Sequence, residues 1–290
     1  MSQFEMFVEG ITVGDVSIKV KRTFETRPDR LNVMSSGGGT QSNAMIVLAY
    51  LGYLPKPDLI VMVDTEREMG EVFEYQKKYI KPLCDEMGIE YFIPKKSEWT
   101  EHDITSFSDD DCVLPPFFTE FNGRDKDNLC SKQPGFCSGK WKTEVIKRFL
   151  NDKYGEKELT ARGVDSWMGM TTDERRRIKY PTGKWQKKYP LFESGLTRND
   201  CITIVEQFGL PTPPRSACWM CPNRAPNEWA HMRDNCPADF AKAVEFEKEL
   251  QKDFPWLWLH KEGIPIHLVD FKEDEKTDLS RNCDSGLCFI

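Results

Sequence analysis

Apolar and polar positions follow two rhythms in the first hundred residues. Short apolar runs of strand length stand at Arg30–Met34 (ending LNVM), Asp58–Val63 (DLIVMV) and Ile89–Ile93. Between them, apolar positions recur at helical spacing over Asn43–Leu51 and about Met69–Met87. Strand, loop, helix, strand, helix, strand predicts an α/β fold, a parallel twisted sheet with helices on both faces. Ligands of such sheets sit outside the carboxyl ends of the strands, where SSGGGTQS (Ser35–Ser42) and Asp64-Thr65 fall.

The rest of the chain is less regular. Residues 1–30 are polar and β-tending with a turn near Gly10 to Asp15, which predicts an N-terminal arm or hairpin. Ser97–Asn128 is polar and irregular, with an acidic run Asp109–Asp111 and Pro115-Pro116; a lid and a long surface excursion both fit. A helix over Lys140–Leu150 and a strand around Ser166–Met170 follow. Thr197 with Asp200 three residues on marks a capped helix running to Gly209. Helices are expected at about Pro226–Arg233 and Pro237–Phe254, then a strand from Ile264 and an acidic end with two cysteines. The expected organisation is an arm (1–30), a nucleotide-binding α/β domain (31–195) and a helical, cysteine-bearing C-terminal region (196–290).

The glycines of Gly37-Gly38-Gly39-Thr40-Gln41-Ser42 matter because they lie between a strand and a helix. Missing side chains let backbone N–H groups close around phosphate oxygens, and the helix N-terminus adds partial positive charge. Ser36, Thr40 and Ser42 can donate hydroxyl hydrogen bonds to the same oxygens. The Lys-Ser/Thr ending of a Walker loop is absent, and Ser42 occupies the last glycine place of a dinucleotide G-x-G-x-x-G. The plain alternative is a tight turn.

Composition narrows the partners. With 40 basic and 47 acidic residues the formal charge is −7, which argues against a general coat for nucleic acid and leaves room for a local basic groove. One such stretch is Arg175-Arg176-Arg177, Lys179, Lys184, Lys187 and Lys188, interleaved with Tyr180, Trp185 and Tyr189. That mixture suits phosphate contacts and base stacking, so a nucleic-acid substrate and a solvated face are both open. No run reaches the roughly 20 apolar residues of a membrane span, and MSQFEMFVEG lacks the pattern of a secretory signal. The expectation is a cytoplasmic protein that contacts no membrane; an oligomer is compatible with the sequence. His102, His231, His260 and His267 show no metal-ligand spacing and read as structural. No side chain is singled out as catalytic.

In a reducing cytoplasm ten cysteines do not suggest a disulfide framework. Cys218 and Cys221 form C-x-x-C, a spacing that holds one metal or one cluster iron, or that works as a redox dithiol. Cys283 and Cys288 are a rival pair. Cys84 and Cys112 read as lone thiols and Cys236 as a helix cap.

The glycine loop and the strand ending Val63-Asp64-Thr65 resemble the nucleotide alpha-hydrolases, which include PP-loop ATP pyrophosphatases and phosphoadenosine-phosphosulfate (PAPS) reductases. Further similarities are Gly169-Met170-Thr171-Thr172-Asp173-Glu174 before the arginines, Tyr180-Pro181, Tyr189-Pro190-Leu191, Leu196–Cys201, Ser216–Pro222 and Asn282–Cys288. The series, over about residues 31–290, resembles a PAPS-reductase-like subgroup of bacteria and phages. The family loop is Ser-Gly-Gly-x-Asp-Ser; anchored on Ser42, this chain has Gly37 for the first Ser and Gln41 for the Asp.

The resemblance implies ATP or a related adenine nucleotide as cofactor, with Mg2+ in attendance. It implies a nucleotide site of Ser36–Ser42, Asp64, Asp173, Glu174, Arg175 and Arg177. It also implies that Cys137 and Cys201 join Cys218 and Cys221 around zinc or a [4Fe–4S] cluster, as scattered cysteines do in sulfur-inserting relatives. The implied activity is AMP transfer to a substrate with pyrophosphate release, for sulfur insertion or nucleic-acid modification. The alternatives are a PAPS-type sulfonucleotide reductase and a non-catalytic nucleotide-sensing or sequestering module, one serving a phage or a defence against it.

Overall fold

A computed structural model of the chain describes residues 8–21, 24–104 and 113–271. Asp109–Asp111, Cys112, Cys283 and Cys288 lie outside the described residues. In chain order the strands are β1 (Val8–Val13), β2 (Val16–Lys21), β3 (Leu31–Ser36), β4 (Leu59–Met62), β5 (Glu90–Phe92), β6 (Phe118–Arg124), β7 (Cys130–Lys132), β8 (Val164–Met168), β9 (Trp185–Lys188) and β10 (Leu257–Trp258). The helices are α1 (Thr40–Tyr50), α2 (Gly70–Tyr75), α3 (Lys81–Met87), α4 (Glu144–Tyr154), α5 (Glu156–Arg162), α6 (Pro190–Glu193), α7 (Arg198–Gln207), α8 (Pro226–Asn235) and α9 (Pro237–Asp253).

These elements form two interleaved units where the sequence suggested consecutive blocks. The first comprises the residues up to Val63, Glu71–Pro94 and Ile146–Ser216; the second comprises Asp64–Gly70, Lys95–Val145 and the residues from Ala217 on. The stretch 95–145 therefore leaves the expected nucleotide domain, and α7 enters it.

The first unit is built on a five-stranded sheet ordered β5-β4-β3-β8-β9, every neighbouring pair parallel. Strand β4 (LIVM) is apolar throughout and β3 is buried along nearly its whole length because both faces of the sheet's centre are covered. Met34 and Ile60 pack into one core with α1, α3 and α7, while Val33, Leu59 and Val61 pack into another with Leu150 and Leu159. Helix α1 is buried along almost its whole length, as a helix apolar on every side must be. The capping box read at Thr197 is present: Thr197 Oγ1 accepts from Asp200 N–H at 3.1 Å, and Asp200 Oδ2 accepts from Thr197 N–H at 2.8 Å. The N-terminal arm is the hairpin β1–β2, whose Ile11, Val13, Ile18 and Val20 join the first core. Asp165 of β8, 1% exposed, accepts from Arg27 and Arg30 and so fastens the chain ahead of β3 to the sheet.

The second unit carries the antiparallel sheet β10-β6-β7 with α8 and α9. Strand β6 lies inside the stretch expected to be irregular, and its pairing with β7 is broken by a register shift between Thr119 and Arg124. The strand expected from Ile264 is instead a single 3-10 turn, Ile266–Leu268, entered through Pro265, which has no N–H to give to a ladder.

Candidate nucleotide site and thiol cluster

Strand β3 delivers the glycine loop to the head of α1. The loop is held by its own hydroxyls: Ser36 Oγ accepts from Gly38 N–H at 3.1 Å and Ser42 Oγ from Gly37 N–H at 3.0 Å. A hydroxyl that accepts still keeps its proton for donation. Gly38 takes φ +77°, and a Cβ there would lie 2.8 Å from both Met62 Cε and Val72 Cγ1. The missing side chain at Gly38 therefore serves the fold of the loop and points into the unit's own packing. From below, Gln76 donates to the Gly38 carbonyl at 3.0 Å, and Tyr91 donates to Gln76 at 3.0 Å. Gly39 caps α1 in extended conformation with no side-chain partner for the helix, so the first-turn amides have no acceptor from within the helix.

The segment after β8 closes on this turn. A Cβ on Gly169 would stand 3.3 Å from Ser42 N and 3.4 Å from the Gln41 carbonyl carbon, which explains a glycine there. Beyond it, the 3-10 segment Thr172–Arg177 presents Glu174, whose Oε2 accepts from Gln41 Nε2 at 2.9 Å. Glu174 also pairs with Arg177. Asp173 Oδ2 accepts from Thr171 Oγ1 at 3.1 Å and from Arg198 N–H at 2.6 Å, joining this segment to the start of α7.

Ser36–Ser42, Asp173, Glu174 and Arg177 thus belong to one unit, and Gln41 with Glu174 and Arg177 form a bonded chain. Arg177 is drawn in, with its side chain 8% exposed, whereas Arg175 and Arg176 are exposed. Asp64 follows β4 directly but belongs to the second unit, where its Oδ1 accepts from Glu66 N–H at 2.7 Å. Farther along the basic stretch, Lys187 on the edge strand β9 is held below its ordinary pKa by burial, then by Lys179 and Lys147.

Cys137, Cys218 and Cys221 gather in the second unit. Burial first, and then the neighbouring thiols Cys221 and Cys218, push Cys137 up to about 12. Burial, then Glu68, push Cys218 up to about 11, against the opposing pull of Lys142. Although burial works against its charge, Lys142 is held above its ordinary pKa by Glu68 and these three thiols. Thr65 Oγ1 lies 3.4 Å from Cys218 Sγ.

Cys201 belongs to the other unit. It is a residue of α7 fully buried in the first unit's apolar core beside Ile204 and Val205, where burial raises its thiol steeply. Its spacing with Ile204 and Val205, i, i+3, i+4, was the signal for a core position. Glu68, which the sequence reading passed over, stands in the thiol group instead.

No protein-family model matches the chain, and no curated protein matches it. Among solved structures it is similar to the U34-tRNA thiolase NcsA from Methanococcus maripaludis with its [4Fe-4S] cluster, at 16% identity over 79% of this chain and 70% of that one. The TM-score is 0.37, too loose a likeness to argue activity from. Among the described residues no helix is long and apolar enough to cross a membrane.

Proposed function

We propose that the chain is an enzyme that binds ATP or a related adenine nucleotide and uses it to activate a substrate for sulfur insertion or nucleic-acid modification. The observation that carries this reading is the glycine loop at the head of the buried helix α1, with Gln41, Glu174 and Arg177 bonded beside it. The loop and first-turn amides would take the phosphates, with the hydroxyls of Ser36, Thr40 and Ser42 donating to the same oxygens. Arg177 and the exposed Arg175 supply positive charge for an anion. Binding of this kind promotes AMP transfer by positioning the α-phosphorus and stabilising charge, with pyrophosphate as leaving group.

Glu174 makes Gln41 intelligible. A carboxylate at 41 would face another carboxylate, whereas the amide donates to it. Where Mg2+ takes part, Asp173 and Glu174 are the carboxylates of this unit that would carry it.

Cys137 lies near enough to Cys218 and Cys221 in the second unit for them to raise its thiol; their sulfurs do not all stand within 4.8 Å of one another, so a soft cation would have to draw them together. A zinc ion or an iron–sulfur cluster, when bound there, would supply a site at which sulfur can be held. The basic and aromatic residues around β9 suit an anionic, base-bearing acceptor.

Purified anaerobically and given ATP and candidate acceptors, the protein is expected to release pyrophosphate. Sulfite release from PAPS with no pyrophosphate would replace this reading with a reductase, and silence in both assays alongside tight nucleotide binding would leave a sensing or sequestering module.

A further inference from the structure

Ser216, the last residue of the first unit, lies against the glycine loop of that same unit. A Cβ on Gly39 would stand 3.4 Å from Ser216 Cβ and 3.5 Å from Ser216 N, both ordinary contact distances. The Ser216 Oγ is shielded from solvent and has no hydrogen-bond partner among the described residues, and no backbone carbonyl there accepts from its N–H. Across the contact, Gly39 heads α1 with no side-chain cap. The amides of Gly39, Thr40, Gln41 and Ser42 find no backbone acceptor among the described residues either. Donors from two distant stretches of sequence therefore meet at one place with nothing to receive them. Buried polar groups are ordinarily paired, so an orphaned hydroxyl calls for an explanation. Packing does not supply one, because an alanine would keep the same contact with Gly39 through its Cβ. An acceptor that arrives with a ligand does.

We propose, resting on the nucleotide reading above, that Ser216 is a phosphate-binding residue whose hydroxyl and N–H join the loop amides in holding the anionic oxygens of the nucleotide. The contact comes from outside the loop, out of the segment that precedes the C-x-x-C pair. Ser216 is half-buried as a residue, and its hydroxyl can turn about Cα–Cβ from one staggered position to another without moving the backbone. It can therefore present its proton to an arriving oxygen. Hydrogen bonds to charged oxygens are among the stronger ones in proteins, and here none within the chain is given up to make them. An unpaired shielded hydroxyl burdens the nucleotide-free protein, and a phosphate oxygen relieves it. A structural serine behaves in the opposite way, since its loss weakens the free protein.

Full-length wild type and Ser216→Ala are compared by thermal melts without ligand, by calorimetry with ATP and with PAPS, and by phosphorus NMR of the nucleotide at saturation. Without ligand, Ser216→Ala is expected to melt at the wild-type temperature or above it, because it deletes a donor that has no partner. With whichever nucleotide the wild type binds, Ser216→Ala should bind about 10- to 100-fold more weakly, as expected for losing a hydrogen bond to a charged group. At least one phosphorus resonance of the bound nucleotide should move between the two proteins. Affinity equal to wild type would overturn the role of Ser216 and leave the glycine loop standing as the site. Weaker binding with unmoved phosphorus resonances would do the same by placing the hydroxyl away from the phosphates. A lower melting temperature without ligand would overturn it too, by making the hydroxyl a structural group. A wild type that binds neither nucleotide would overturn both this role and the nucleotide reading.

Discussion

The side-chain amide of Gln41 donates to Glu174 Oε2 at 2.9 Å, which bonds the first turn of α1 to the segment that follows β8. Gln41→Asp exchanges this hydrogen bond for a like-charge contact. The expected loss is about 1–2 kcal/mol at neutral pH, and millimolar Mg2+ should restore it by bridging the two carboxylates. Thermal melts with and without Mg2+ check this, and Gln41→Asp combined with Glu174→Gln should melt like wild type without added metal. A Gln41→Asp melt that equals wild type and ignores Mg2+ would show that the two side chains are not energetically coupled.

Gly38 separates folding from binding. An L-residue at φ +77° carries backbone strain, and its Cβ overpacks Met62 and Val72. Gly38→Ala should therefore cost about 3 kcal/mol by denaturant titration. Loss of nucleotide binding in that variant would report a disrupted loop and not a blocked phosphate. Stability within about 0.5 kcal/mol of wild type, the usual range for a neutral surface change, would refute the packing argument.

What the sequence disclosed, and what it withheld, follows the range of the interactions involved. Strands β3, β4 and β5, α1, the helix ahead of β5 and the Thr197 cap depend on local pattern and were legible. Strand β9 reads WQKK and has no apolar pattern; it is a strand because it pairs with β8 in parallel, a non-local fact. The same holds for β6, whose irregular ladder hides the period-two signal. In the site, the glycine loop was legible from its neighbours in sequence, while the Gln41–Glu174 bond spans more than a hundred residues. Cys137 lies in the same unit as the C-x-x-C pair and feels both thiols, a long-range neighbourhood that no local pattern discloses. The family resemblance put Cys201 among the ligands, yet helical periodicity commits it to the core. Glu68 could not be found from sequence, since only the bridge to Cys218 shows what faces it.

His260 of the second unit, 5% exposed, is held by burial and then by Lys261 at a pKa of about 4 instead of the usual 6.5. Its folded-state pKa is depressed, so the unfolded chain binds the proton more readily between those two values. Stability should be complete above about pH 6.5 and fall as the pH drops toward 4, by at most about 3 kcal/mol from this one group. Melting temperatures of wild type and His260→Phe across that window check the sign. The difference between the two proteins should vary with pH there and flatten above pH 7; a constant difference would place the charged form of His260 in the fold.

In the proposed function the amides of the glycine loop receive the phosphates of an adenine nucleotide. Hydrogen–deuterium exchange of the full-length protein, with and without saturating ATP and alongside calorimetry of the same samples, tests it most directly. Measurable ATP binding is expected, with slowed exchange in peptides covering Ser36–Ser42 and the Thr172–Arg177 segment. ATP binding that leaves exchange at Ser36–Ser42 unchanged, or no binding of ATP or PAPS at all, would contradict it.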